Sequence, residues 1–75
     1  MSPEKLVMMA NQIAAFFASQ KHGDAVAATT DHLLKFWEPR MRADMLKHLD
    51  AGGAGLAPVA REAVARLRPA AAPAR

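Results

Sequence analysis

Three histidines, His22, His32 and His48, are the side chains of this sequence best suited to hold a metal or move a proton near neutral pH. Two ligands share one face of a helix only when they lie about one turn apart, as in His-x-x-x-His or Glu-x-x-His. Neither pattern occurs. The plain reading is that His22 lies in a loop while His32 and His48 edge their helices. A nucleophile needs a base beside it. Ser2 has the place of a helix cap, Thr29 and Thr30 fall in mid-helix, and neither they nor Ser19 sits on a strained turn. The sequence contains no Gly-x-Ser-x-Gly, no phosphate loop and no dinucleotide fingerprint. Gly52, Gly53 and Gly55 lack a following lysine and a preceding strand, so they read as a helix stop. The seven carboxylates are scattered, whereas acid–base catalysis wants two in contrasting environments. There is no cysteine, hence no disulfide and no thiolate metal site. No catalytic, cofactor-binding or metal-binding residue is assigned to this chain.

With no reaction chemistry to position, the elements organise around Leu33-Leu34-Lys35-Phe36-Trp37-Glu38-Pro39-Arg40-Met41. Pro39 lacks an N–H and clashes with the turn before it, so it ends one helix and starts another. Glu38, ahead of it, is pushed toward extended backbone. The reading is a corner, with Trp37 wedged where the two helices meet. Two roles suit Phe36, Trp37, Arg40 and Arg42: core and solvated charge, or interface. So short a chain has difficulty covering Phe16, Phe17, Phe36 and Trp37 together, and Trp and Arg dominate protein interfaces.

Ser2-Pro3-Glu4 opens a first helix, expected to reach about Ser19. Leu6, Met9, Ala10, Ile13, Phe16 and Phe17 share its inner side at helical period, with Gln20. Its outer side, Lys5, Met8, Asn11, Gln12, Ala15 and Ser19, is poor in charge and would admit a partner surface closely. After a loop at Gly23, Asp24 caps a second helix to about Phe36, with Val26, Thr30, Leu33 and Trp37 on one stripe and an Asp31–Lys35 pair outside. A third helix, Pro39 to about Ala51, carries Met41, Met45, Leu46 and Leu49. Arg42 falls inside that arc and must snorkel or find a partner. Pro58 starts a fourth helix to about Arg68, with a weak stripe of Leu56, Ala60, Ala63, Val64 and Leu67. The expected fold is all-α: a small three-helix unit, a looser fourth helix, and a Pro/Ala/Arg-rich C-terminal tail. Residues 1–68 form one helical domain and 69–75 a low-complexity tail.

Composition agrees with an incomplete core. Hydrophobic residues make up 52% of the 75, but 18 of them are alanine. The net charge of +3 resides entirely in residues 61–75, because residues 1–60 hold six basic and six acidic side chains. A nucleic-acid binder usually carries its basic stripe on the folded body, so a small helical nucleic-acid-binding module is the alternative reading, prompted by a pI near 10.0 and the helix–turn–helix look of the corner. No segment reaches the roughly 20 apolar residues of a membrane span. With nothing like a signal peptide at the start, a cytoplasmic location is expected, without membrane or nucleic-acid partners.

Met9-Ala-Asn-Gln-Ile-Ala-Ala-Phe-Phe17, His32-Leu-Leu-Lys-Phe-Trp-Glu-Pro-Arg-Met41 and Gly52-Gly-Ala-Gly-Leu56 together resemble the delta subunit of bacterial NAD-dependent, molybdenum-containing formate dehydrogenases. The likeness covers about residues 5–67. It implies a small non-catalytic subunit of a cytoplasmic multi-subunit enzyme. In that enzyme a large alpha subunit oxidises formate on a bis-guanine-dinucleotide molybdenum (or tungsten) cofactor and carries iron–sulfur clusters. Other subunits hold flavin and reduce NAD. The delta subunit is associated with the alpha subunit and with maturation or stability of the holoenzyme. It supplies no catalytic residues to transfer. Met8, Asn11, Gln12, Phe36, Trp37, Pro39, Arg40, Met41 and Arg42 are the docking candidates.

Overall fold

The computed structural model describes residues 2–20 and 23–68, which form four α-helices and no strand. They are α1 (Pro3–Ala18), α2 (Ala25–Phe36), α3 (Pro39–Asp50) and α4 (Pro58–Ala65). His22 and the tail at 69–75 lie outside the described residues. Three helices begin with proline, where the missing N–H has no intrahelical partner to lose. Ser2 accepts from the Lys5 N–H at 3.3 Å, and Asp24 accepts from Val26 and Ala27 at 3.0 and 3.2 Å. Asp31 and Lys35 pair at 3.1 Å on the outer side of α2, as their spacing predicts. α4 ends at Ala65 rather than Arg68.

The all-α class agrees with expectation, but α4 is not a loose addition. Ala60, Ala63, Val64 and the following Leu67 are all fully buried. α4 packs against α1, α2 and α3, and α1 packs against the other three in turn. The α4 stripe is built largely of alanine, yet it is sharply one-sided, and small side chains are what let a helix sit at the centre of a thin bundle. On α1 the buried face is Leu6, Val7, Ala10 and Ala14, with Phe17 half-buried at its end and Phe16 turned away. Phe16 is 60% exposed, contrary to the expected inner stripe. The small side chains at 10 and 14 bring the neighbouring helices close and leave no room for a phenyl ring. Met45 and Leu46 of α3 are buried with Met41 and Leu49 half-buried beside them, as expected.

Polar groups at the helix ends are met by distant side chains. α3 closes with Gly52 N–H to Leu49 O at 3.0 Å and Gly53 N–H to His48 O at 2.9 Å, a Schellman pair. Arg61 of α4 then donates Nη2 to the carbonyls of Gly52 and Gly53, each at 3.0 Å. Gly53 has φ +65°, and a Cβ there would lie 2.9 Å from the Arg61 guanidinium. Asn11 of α1 clamps the loop into α4: Nδ2 donates to Gly55 O and Oδ1 accepts from Ala57 N–H, both at 2.9 Å. Ala57 caps α4 without a side-chain oxygen, and its own N–H is the group that Asn11 satisfies from across the fold. The buried Thr30 hydroxyl donates to Val26 O at 2.8 Å, with Ala63 O of α4 a second acceptor at 3.3 Å.

Enlarging a small residue at the α4 contact should push the helices apart. Ala60→Leu is expected to destabilise by about 1–3 kcal/mol, read as a shift of the urea midpoint. Asn11→Ala removes two hydrogen bonds to backbone that water can partly replace and should cost about 1 kcal/mol, measured the same way. Asp50 pairs with Arg68 at 2.7 Å, and the hydrogen bond from Arg68 holds its carboxyl below the usual range. Its folded pKa is the lower one, so the pair's contribution is present above the unfolded Asp value, about 4, and fades as pH falls through the folded value. The stability difference between the parent and Asp50→Asn should therefore be small, largest near neutrality, and shrink in acid; a difference that grows as pH falls would contradict the assignment.

Candidate docking surface

Several of the sequence's docking candidates are engaged inside this chain. Trp37 is 5% exposed and belongs to the core. As the C-terminal cap of α2 it turns extended, with φ −87° and ψ 138°, which swings the chain toward Pro39. Arg42 finds its partner in backbone: Nη1 donates to Trp37 O at 2.6 Å and to Leu34 O at 3.3 Å. These are carbonyls left over at the end of α2, where positive charge also complements the helix dipole. Asn11 is the loop clamp, and Met41 packs on the core. Pro39 is exposed at the first turn of α3, and Arg40 follows it into solvent. Trp37, Asn11 and Arg42 therefore build the molecule, and Met8, Gln12, Phe36, Pro39 and Arg40 face outward.

The outward residues come from α1, the end of α2 and the start of α3. The largest exposed rings gather along the seam between α1 and α2. Phe36 is 70% exposed and Phe16 60%. Phe16 meets Phe17 edge-on at 5.2 Å between ring centres, Phe17 meets His32 at 6.0 Å, and His32 meets Phe36 at 4.7 Å. A ladder of four rings thus crosses from one helix to the other. A shallow groove beside it is lined by Gln12, Ile13, Phe16, Phe17 and His32. None of these side chains carries a fixed charge. Met8, 51% exposed, precedes Gln12 and Phe16 at one-turn intervals on α1.

The sequence places Phe16 and Phe17 on the inner side of α1 and His32 at a helix edge; the structure exposes Phe16, leaves Phe17 half-buried and keeps His32 at the edge. The available signal was the pair of one-turn repeats, Gln12/Phe16 and His32/Phe36, on the flanks of consecutive antiparallel helices. Among the described residues no three His, Asp or Glu side chains gather as a metal-binding group. His48 instead bonds the Ala54 carbonyl through Nε2 at 2.9 Å. No helix among them is long and apolar enough to cross a membrane. The site suits burial against another macromolecule, since exposed aromatic strips of this kind lose contact with water when covered.

Comparison with known protein families finds a match over residues 5–64 to the family described as NADH-dependant formate dehydrogenase delta subunit FdsD. Comparisons with curated proteins and with solved structures find no match. The matched span includes the Trp37–Pro39 corner, the Asn11 clamp, the glycine turn after α3 and the whole aromatic ladder. Because that match takes in most of the chain and nearly all of its helical body, the polypeptide belongs to the family of formate dehydrogenase delta subunits.

Proposed function

We propose that this chain is a non-catalytic accessory subunit of a cytoplasmic NAD-dependent formate dehydrogenase. It docks on the large molybdenum- or tungsten-containing catalytic subunit and supports its assembly or cofactor maturation. The observation that carries the reading is the aromatic ladder, with Phe16 and Phe36 60% and 70% exposed in a chain of the delta-subunit family. Leaving such rings in water forgoes about 1.5–3 kcal/mol for each that a partner could bury. The donor set of the chain points the same way. Iron–sulfur clusters are held by cysteine thiolates, and this sequence has none. The bis-guanine-dinucleotide cofactor, clusters, flavin and NAD site are assigned to the partner subunits.

The chain's basic side chains give less support to nucleic-acid binding. Arg42, Arg61 and Arg68 are each committed to a carbonyl or carboxylate within the fold.

In the native host, affinity-tagged chain should co-purify the large catalytic subunit. Deleting its gene should lower formate oxidation and the molybdenum or tungsten content of the large subunit, with both restored by re-expression. An untouched activity and metal content, with no large subunit recovered, would reject the proposal.

A further inference from the structure

We infer that the α1–α2 seam receives one amphipathic helix of the large subunit, laid along the aromatic ladder with an uncharged apolar face inward. The inference rests on the docking proposed above and assigns the face and the partner element. Two antiparallel helices leave a groove between their side-chain ridges, and the ridge of a third helix is the shape that fills it. Side chains on each flank of the seam repeat at one turn, Gln12 and Phe16 on α1, His32 and Phe36 on α2. A facing helix with apolar residues three or four apart meets rungs of that spacing in register.

Size separates this occupant from a second copy of the chain. At 60% and 70% exposure, the two outer rings offer on the order of 250 Å² between them, from the 150–250 Å² of an aromatic side chain. The half-buried Ile13, Phe17 and His32 add less. A stable face-to-face dimer needs roughly 800 Å² from each partner, which this strip does not provide. A helix carried on the large subunit covers the strip as one part of a wider contact, whereas a face-to-face dimer centred on the strip must draw its area from it.

Charge defines the chemistry of the inserted face. The lining has no fixed charge, and the nearest pair on α2, Asp31 and Lys35, is closed on itself at 3.1 Å. A charged side chain entering the groove would be desolvated without a partner. The docking is therefore expected to respond little to salt. A surface built on exposed Arg40 would weaken as salt is added, because exposed ion pairs are screened.

The test uses the full chain and purified large subunit from a host lacking this chain. Phe16→Ala and Phe36→Ala should each weaken binding about 10–100-fold. Gln12→Glu, which places a charge in the groove, should weaken it as well. Arg40→Glu should stay within about threefold of the parent, on the scale of a rim charge. All four positions are exposed, so thermal melts should match the parent and exclude misfolding. A photoreactive phenylalanine analogue at position 16 or 36 should cross-link to one segment of the large subunit, at residues three or four apart. Cross-links to a second copy or scattered over several segments, or Phe variants that bind like the parent, would overturn this assignment while leaving docking on the large subunit standing. Failure of the parent chain itself to bind the large subunit would overturn the docking proposal, and this inference with it.

Discussion

The close approach of α4 to its neighbours governs how the rest of the chain is arranged. Ala60 and Ala63 on α4, with Ala10 and Ala14 on α1, are all at or near zero exposure. Methyl side chains let helix backbones lie near the short end of the usual 8–10 Å interaxial range. The core that results is tight and narrow. It admits Leu6, Leu33, Met45, Val64 and Leu67 in full. The chain's only Trp joins that core from a helix end, as the C-terminal cap of α2.

That narrowness has two consequences. Surplus rings are held at the α1–α2 seam, outside the close-packed layer. The helix ends also come near one another, within reach of long side chains from other elements. Arg61 closes α3, Arg42 closes α2, and Asn11 secures the entry to α4. In each case a side chain, half-buried for Arg42 and Asn11 and exposed for Arg61, meets backbone groups that water would otherwise have to meet. Hydrogen bonds of this kind contribute little net when made and cost more when broken, so they select this arrangement over looser ones more than they add stability.

The same features bear on the docking proposed above. The chain belongs to the delta-subunit family, and among its described residues no three His, Asp or Glu side chains gather. Asn11 ties α1 to the entry of α4 and Arg42 ties α3 to the end of α2, while α4 packs on both helices of the seam. An apolar strip on a rigid pair of helices can be covered by a partner with little ordering cost on this side.

Much of this architecture was legible in the sequence. Pro3, Pro39 and Pro58 marked helix starts, Asp24 marked another, and the glycines after residue 51 marked a stop, because each acts through local backbone geometry. The stripes of α2 and α3 were legible for the same reason: periodicity is a property of the segment alone. The family resemblance came from the residues that build the Trp37 corner and the Asn11 clamp. What only the tertiary structure decided was which of several plausible faces is buried. Hydropathy ranks Phe above Ala, yet α1 buries Ala10 and Ala14 and leaves Phe16 outside, because helix–helix distance is a property of two surfaces at once. The partners of Arg42, Arg61 and Asn11 were equally out of reach, since backbone carbonyls and amides have no signature in a sequence until the fold brings them alongside.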